Sequence, residues 1–245
     1  MKKAAFFDID GTLFRNSLLI EHFRLLTKYK VLPEEIWYKD IKPLYQKYQN
    51  RQGAYEDYLE KASILYQQNL VGIEKNTIRD LAKVVIEENK NKTYMVTRKA
   101  VLNHIEEGYL VFFISGSPDY LVKDYAKLYG AEKSIATQYI FDENDKFTGK
   151  INPMWDSRNK RKAINYLKET YNLDLSKSHA YGDTNGDFTM FEEVGFAHAI
   201  NPSFELIDKL NSNQIVRNKT TIHVERKDVN YNFELKDMKV EFKKF

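Results

Sequence analysis

The sequence predicts an α/β fold, a doubly wound parallel sheet into which a helical domain is inserted. Three observations support this prediction. From residue 93 onwards, short β-prone segments alternate with helical segments, which is typical of a parallel sheet with helices on both faces. Between residues 17 and 92, apolar residues recur at three- and four-residue steps, so this part is mostly helical. Acidic or small residues follow several predicted strands, at the edge where such sheets bind ligands.

The first half of the chain contains one predicted strand and then helices. The strand covers residues 3–9 and ends in the turn sequence Asp-Ile-Asp-Gly-Thr. Pro33 and Pro43 each start or kink a helix. Apolar residues repeat at helical spacing in the segments 18–26, 55–66 and 77–86.

The second half alternates between the two kinds of element. We predict helices at residues 96–107, 120–129, 160–171 and 186–194. We predict strands at residues 109–115, 134–139, 179–182 and 196–200. Residues 141–151 have the pattern of a β-hairpin.

We expect three parts along the chain. Residues 1–16 and 93–217 form the α/β core, residues 17–92 form the helical insert, and residues 218–245 form a C-terminal extension. In the extension, apolar residues alternate with polar ones at Ile222 and Val224, Phe233 and Leu235, and Val240 and Phe242. This pattern indicates either a small antiparallel addition or a loosely held segment.

The composition limits the classes of function. The chain has no cysteine, which excludes disulfides and is compatible with a reducing cytoplasm, and its five histidines lack zinc-like spacing. The net charge is only +3 and the lysines are spread along the chain, so we predict no nucleic-acid partner. No apolar run reaches the roughly 18 residues of a membrane span. Only Ala4–Phe7 precede the first acid, too few for a signal peptide, so we expect a cytoplasmic protein without a membrane partner.

Two pairs of aspartates lie at predicted strand ends. Asp8 and Asp10 end the first strand, and Asp183 and Asp187 follow the strand at 179–182. A parallel sheet would bring these ends together, and the carboxylates would then repel one another at low dielectric. A hard divalent cation removes this repulsion, and Mg²⁺ prefers carboxylates, water and substrate phosphate as ligands. The sequence therefore predicts a Mg²⁺ site.

Small and basic residues at other strand ends predict a phosphate site beside the metal. Gly11, Gly116 and Gly182 allow backbone amides to approach an anion. The Ser115 hydroxyl and the Lys160 ammonium would complete a cradle for a phosphoryl group.

The two-residue step between Asp8 and Asp10 predicts a division of chemical work. Alternate residues of an extended chain point the same way, so both side chains would face one site. One carboxylate can attack phosphorus and form an aspartyl-phosphate. The other can donate a proton to the leaving oxygen and later take one from water.

Four stretches carry a resemblance to a known family. They are FFDIDGTLF at the first strand, FFISGSP at the strand 109–115, a lysine before an apolar helix, and YGDTNGD. In this order they resemble the four motifs of the haloacid dehalogenase-like (HAD) phosphohydrolases, and their spacing resembles the phosphoserine-phosphatase-like branch, subfamily IB. The resemblance covers residues 3–202 and implies a Rossmann-like doubly wound parallel sheet with an inserted helical cap domain, here the helical insert.

The resemblance implies a role for each matched residue. Asp8 would be the nucleophile and Asp10 the general acid and base. Mg²⁺ would be bound by Asp8, the Asp10 carbonyl and Asp183, while Asp187 would orient the metal shell and the lysine. The residues that would bind the phosphoryl group are Thr12, Ser115, Gly116 and Lys160.

Lys162 is the alternative to Lys160 as the phosphate-binding lysine. The chain length from Lys160 to Asp183 is similar to the helix–loop–strand spacing of this branch, which favours Lys160. Helical geometry separates the two side chains by roughly 200°, so only one of them can face the site.

Two positions differ from the phosphoserine-phosphatase pattern. Where an acid early in the cap would bind the substrate's amino group, this chain has Ser17, and Glu21 lies one helical turn further on. Arg51 is the candidate for the arginine that would bind the substrate carboxylate. The resemblance therefore implies phosphatase chemistry and leaves the phosphomonoester open.

We predict a Mg²⁺-dependent phosphatase, monomeric or homodimeric, that hydrolyses a small phosphomonoester through an aspartyl-phosphate. A dehalogenase of the same fold needs no metal and no acid at the position of Asp10. A catalytically idle binding or regulatory protein would be expected to lack Asp8 or Asp183, and the chain keeps both. A protein phosphatase stays an alternative in which the helical insert leaves the cleft open.

Overall fold

The centre of the molecule is an eight-stranded sheet. A computed structural model of the chain describes residues 1–53 and 55–238, so the alternation at Val240 and Phe242 lies outside the described residues. The strands are β1 (Ala4–Phe7), β2 (Leu110–Pro118), β3 (Lys133–Phe141), β4 (Phe147–Asn152), β5 (His179–Gly182), β6 (Phe196–Ile200), β7 (Thr220–Arg226) and β8 (Val229–Glu234). Their order across the sheet is β4-β3-β2-β1-β5-β6-β7-β8. The strands from β3 across to β7 are parallel, and β4 and β8 pair antiparallel at the two edges.

Helices occupy most of the remaining described chain. The α-helices are α1 (Leu18–Lys28), α2 (Lys42–Gln49), α3 (Tyr55–Asn69), α4 (Lys75–Asn89), α5 (Met95–Glu106), α6 (Asp119–Leu128), α7 (Ser157–Tyr171), α8 (Phe188–Glu193), α9 (Phe204–Ser212) and α10 (Gln214–Asn218). A π-helical turn at Ile36–Ile41 precedes α2. None of the helices in the described ranges is long and apolar enough to cross a membrane. The predicted α/β fold is confirmed.

Apolar side chains pack on both faces of the sheet. Alternate residues of β1 divide between two clusters, with Ala5 and Phe7 on one face and Ala4 and Phe6 on the other. The first cluster includes apolar residues of α1, α3, α4 and α6, and the second includes those of α7, α8 and α9. Because β1 is covered on both faces, its sequence is a continuous apolar run without alternation.

Two places connect the helical insert to the sheet. The chain enters and leaves the insert side by side, where Arg15 N donates to Lys92 O at 2.9 Å. The loop between α3 and α4 is bonded to the β3–β4 hairpin: Gly72 N donates to Phe147 O at 2.9 Å, and Phe147 N donates to Ile73 O at 3.0 Å. The insert is therefore held to the hairpin as well as by its two connections. The division into core, insert and extension stays a prediction.

A chain of three buried polar side chains links the insert to α6. Tyr66 OH on α3 lies 2.6 Å from His22 Nδ1 on α1 and 2.6 Å from Tyr120 OH on α6. Burial lowers the pKa of His22 to about 3, so the imidazole is neutral. In the neutral tautomer with its proton on Nε2, His22 Nδ1 accepts a hydrogen bond from Tyr66, and Tyr66 can then accept one from Tyr120.

The predicted C-terminal extension contains two strands of the sheet. β7 pairs parallel with β6, and β8 folds back antiparallel on β7. A row of imidazoles crosses β5, β6 and β7: His179 Nδ1 lies 3.0 Å from His198 Nε2, and His198 Nδ1 lies 3.1 Å from His223 Nε2. His223 Nδ1 then lies 2.7 Å from Asn232 Oδ1 on β8. This row arises from strand register, so the spacing of the histidines in the sequence does not indicate it.

Candidate active site

Three aspartates meet at the carboxyl end of the two central strands. Asp8 directly follows β1 and Asp183 directly follows β5, and these strands are neighbours. Asp8 N donates to Tyr181 O at 3.0 Å, which continues the pairing to the end of β1. Carboxylate oxygens of Asp8, Asp183 and Asp187 lie within 4.8 Å of one another, and all three residues are at least nine-tenths buried.

Lys160 lies between two of these carboxylates. Its Nζ donates to Asp8 Oδ1 at 2.7 Å and to Asp187 Oδ1 at 2.5 Å, and the residue is 2% exposed. It projects from the first turns of α7, which is capped by Asp156. Lys162 is exposed at the cavity wall instead. Of the two candidate lysines, Lys160 therefore contacts the aspartates.

The charges of this cluster do not balance. Burial raises the pKa of Asp8 to about 8 and raises that of Asp183 well above its ordinary value, and the neighbouring carboxylates add to both effects. Burial alone would lower the pKa of Lys160, but the charges of Asp187 and Asp8 raise it, so the ammonium stays ionised. Three buried carboxylates thus share one cation. Their oxygen atoms and their excess negative charge fit a hard divalent cation such as Mg²⁺.

Asp187 is fixed by its own backbone surroundings. Its Oδ2 accepts from Asp183 N at 3.1 Å and from Thr184 N at 3.0 Å, while Oδ1 accepts from Lys160. A Cβ at position 182 would overlap the Asp187 side chain, so Gly182 is required for this close approach. With both oxygens engaged, Asp187 orients Lys160 and the backbone at the end of β5.

Asp10 is held at the start of the helical insert. Its Oδ1 accepts from Leu18 N, in the first turn of α1, at 2.7 Å, and its Oδ2 accepts from the hydroxyl of Ser117. Burial raises the pKa of Asp10 to about 6, against the effect of the Ser117 bond. Ser117 is a site residue to which the sequence assigned no role. Its position after Ser115 at the same strand end was the signal available.

Thr12 contacts an aspartate rather than the cavity. Its hydroxyl donates to Asp183 Oδ1 at 2.8 Å, and the residue is fully buried. Gly11 lies in the left-handed region with φ +81°, and a Cβ there would overlap the Asp183 carboxylate. The Asp-Gly-Thr turn after β1 therefore holds the Asp183 carboxylate in place through Gly11 and Thr12.

The last residues of β2 differ in their surroundings. Gly116 and Ser117 line the cavity, whereas the Ser115 side chain is fully buried and its Oγ accepts from Ser117 N at 3.1 Å. A Cβ on Gly116 would lie 2.9 Å from the Cβ of Trp155. Arg51 is exposed and is not among the residues that line the cavity, so the structure does not bring it to the site.

A cavity of about 1000 Å³ opens above these groups. The helical insert forms one wall through a single face of α3, and the start of α7 forms another. Helix α3 contributes the lining residues Tyr55, Leu59, Glu60, Ser63, Ile64 and Gln67, and the start of the insert contributes Ser17 and Leu19. The site thus combines an ionised lysine, several buried carboxylates and a roofed space for a ligand.

The chain is similar to a known protein family and to several curated proteins. The chain matches the family model described as haloacid dehalogenase-like hydrolase over residues 5–192. It is 30% identical to the inhibition of morphological differentiation protein of Streptomyces azureus over 135 residues, which cover 55% of this chain and 46% of that protein. It is 25% identical to phosphoserine phosphatase SerB1 of Mycobacterium tuberculosis over 209 residues, which cover 83% of this chain and 66% of that protein. The chain therefore spans between about half and two thirds of the length of these relatives.

Solved structures share the fold at low sequence identity. A protein with unknown function from Bordetella pertussis Tohama I has a TM-score of 0.68 at 20% identity, covering 86% of this chain and 96% of that one. A phospho-aspartyl intermediate analogue of phosphoserine phosphatase has a TM-score of 0.61 at 19% identity, covering 93% and 95%. The family match extends over well more than half of the chain and confirms the resemblance drawn from the four motifs. The chain belongs to the haloacid dehalogenase-like hydrolase family.

Proposed function

We propose that this protein is a Mg²⁺-dependent phosphatase that hydrolyses a small phosphomonoester through an aspartyl-phosphate on Asp8. The observation that carries the proposal is that Asp8, Asp10 and Lys160 line one cavity, with Asp183 beside Asp8, although these residues come from three distant parts of the chain. Lys160 bonds to Asp8 across 152 residues of sequence, and Thr12 bonds to Asp183 across 171. The helical insert is proposed to act as the cap of this site.

In the proposed first step, the Lys160 ammonium and the backbone amides near Ser115 and Gly116, at the end of β2, bind the phosphoryl group. A carboxylate oxygen of Asp8 attacks phosphorus, and the bond from phosphorus to the leaving oxygen breaks. Asp10 donates its proton to that oxygen. The raised pKa of Asp10, about 6, supports this role because a larger fraction of the carboxyl is then protonated near neutral pH.

In the second step, a water molecule attacks phosphorus of the aspartyl-phosphate while Asp10 accepts a proton from it. Phosphate leaves, and Asp8 returns to the carboxylate. Mg²⁺, when bound by Asp8, the Asp10 carbonyl and Asp183, would neutralise charge on the phosphoryl oxygens. The α3 face above the cavity would restrict the access of bulk water.

The α3 roof also separates this proposal from a protein phosphatase. A folded protein substrate would need an open cleft, whereas the insert lines the cavity with six residues of one helix. A non-catalytic binding role gains no support from a site that keeps both Asp8 and Asp10. The monomeric or homodimeric state stays a prediction.

The experiment measures hydrolysis of p-nitrophenyl phosphate with Mg²⁺, with EDTA, and after Mg²⁺ is added back. We expect turnover to disappear in EDTA and to return with the metal. Asp8→Asn should abolish turnover, whereas Asp208→Asn, at an exposed position of α9, should not. Turnover that persists in EDTA would contradict the metal requirement, and an active Asp8→Asn protein would contradict attack by aspartate.

A further inference from the structure

The cavity is far larger than a phosphoryl group requires. Its volume of about 1000 Å³ is at the upper end for sites that hold drug-sized ligands. Beyond the reacting groups, the space lies between the α3 face and the segment that begins α7. The leaving group of the substrate would occupy this space, so the side chains there decide which leaving groups fit.

Charge is distributed unevenly over these two walls. Among the described side chains of the α3 wall, Glu60 is charged and none is a cation. The cations that line the cavity in the described part of the chain lie on α7, namely Arg158, Lys160 and Lys162. An anionic part of a ligand would therefore be attracted towards α7 and repelled by the α3 wall.

Arg158 and Lys162 are the cations of this wall that have no protein partner. Lys160 is bonded to two aspartates, and Arg161, on another side of α7, pairs with two glutamates. Within residues 1–53 and 55–238, neither Arg158 nor Lys162 makes an ion pair. They are four residues apart, so they lie on the same side of the helix.

Helix stability does not explain the position of Arg158. It lies in the first turn of α7, where the helix macrodipole disfavours a cation. The helix start is already capped by Asp156, whose side chain accepts from Asn159 N at 2.9 Å. Arg158 is exposed and lines the cavity. An anion of the ligand beside it would offset its unfavourable interaction with the helix dipole.

The start of α7 is held firmly against the site. A Cβ on Gly116 would lie 2.9 Å from Trp155 Cβ, and one on Gly186 would lie 2.5 Å from Trp155 O, so this segment packs tightly between two site loops. Ser157 Oγ donates to Asn185 O at 3.1 Å. The two free cations therefore project from a fixed platform rather than from a loose surface helix.

Building on the proposed phosphatase function, we propose that the leaving group carries a second anionic group, a carboxylate or a phosphate, bound by Arg158 and Lys162. This site lies on α7 of the core, away from Arg51 on the insert. The enzyme therefore selects substrates that have two anions, one at Lys160 and one at the Arg158–Lys162 pair. Bidentate contact from the guanidinium would give the stronger part of the binding.

Substrate pairs that differ only in the second anion test this proposal. Glycerol 3-phosphate and 3-phosphoglycerate form the carboxylate pair, and fructose 6-phosphate and fructose 1,6-bisphosphate form the phosphate pair. In at least one pair, we expect kcat/KM to favour the two-anion member by about tenfold or more, the worth of a charged hydrogen bond. The pair that shows the preference identifies the kind of anion.

The variant Arg158→Gln/Lys162→Gln should lose that preference, which should also weaken at high salt in the wild-type protein. Lys168→Gln, an exposed change further along α7, should retain it. Equal kcat/KM values within both pairs, or a preference that survives in the double variant, would overturn the proposal. Hydrolysis of p-nitrophenyl phosphate by the same preparation separates these results from failure of the proposed phosphatase function.

Discussion

Tyr66 is the residue whose single hydroxyl we expect to matter most for stability. It is fully buried on α3, and its OH joins His22 on α1 to Tyr120 on α6 at 2.6 Å each. Tyr66→Phe removes this oxygen and keeps the ring, which packs edge-on against Phe23 and Tyr139. The substitution therefore tests the hydrogen bonds with little change in apolar packing.

The expected loss of stability in Tyr66→Phe comes from the buried polar groups that lose their hydrogen-bond partner. In the variant, His22 Nδ1 and Tyr120 OH both lose their partner in a buried environment. Each unsatisfied buried polar group costs on the order of 1–3 kcal/mol, so we expect a loss of about 3 kcal/mol in the free energy of unfolding. Tyr120→Phe is the matched control, because Tyr66 can still donate to His22. It should cost about 1 kcal/mol.

Urea denaturation followed by circular dichroism would measure both variants and the double variant Tyr66→Phe/Tyr120→Phe. We expect the double variant to be less destabilised than the sum of the single changes, because the two hydroxyls share one hydrogen bond. If Tyr66→Phe cost no more than Tyr120→Phe, the central place of Tyr66 in the chain of bonds would be refuted.

Two further predictions concern charged and titrating groups. Lys160→Met should lower kcat for p-nitrophenyl phosphate by about 100-fold or more, because Asp8 and Asp187 lose their shared cation. Lys168→Met is the exposed control. If kcat of Lys160→Met stayed within about threefold of wild type, the proposed role of Lys160 would be contradicted. The histidine row should make the fold sensitive to acid. Burial lowers the pKa of His179 to about 4 and that of His198 well below its ordinary value of 6.5. The unfolded chain therefore binds more protons than the folded one below pH 6.5, and stability from these groups is lost as the pH falls towards 4. Urea midpoints at pH 7.5 and 5 should differ less in His198→Phe than in the wild type, and an unchanged difference would exclude the row as its source.

The positions of Asp8 and Asp183 could be predicted from the sequence because the signals are local. The apolar run of β1 ends at Asp8, and the short strand β5 is followed by Asp183, so each strand and its acid are adjacent in the chain. The alternation of strands and helices then predicts a parallel sheet, and parallel strands bring their carboxyl ends to one edge. Lys160 was favoured over Lys162 by the chain length to Asp183, and it is the one that contacts the aspartates. The expectation that only one of the two faces the site was wrong, because both line the cavity.

Other features depend on contacts that no local pattern specifies. Thr12 was expected at the phosphate, yet its hydroxyl bonds to Asp183, a residue of another strand. Ser117 contacts Asp10 because β2 extends to Pro118 with an irregular register near Ser115. The histidine row likewise requires the register of three strands at once. Arg51 was placed by analogy alone, and the structure leaves it outside the cavity.

The central place of β1 has a consequence for how the protein is made. β1 is translated before its two neighbours in the sheet, β2 and β5, which follow much later in the chain. The partner of Asp8 on α7 follows 152 residues behind it. In a nascent chain that has not yet reached β5, one edge of the apolar strand β1 is therefore unpaired. Asp8 also lacks Asp183 and Asp187, with which it would bind a cation. The chain must be translated past Asp183 before these residues can come together. Until then this apolar strand is exposed to other unfinished chains.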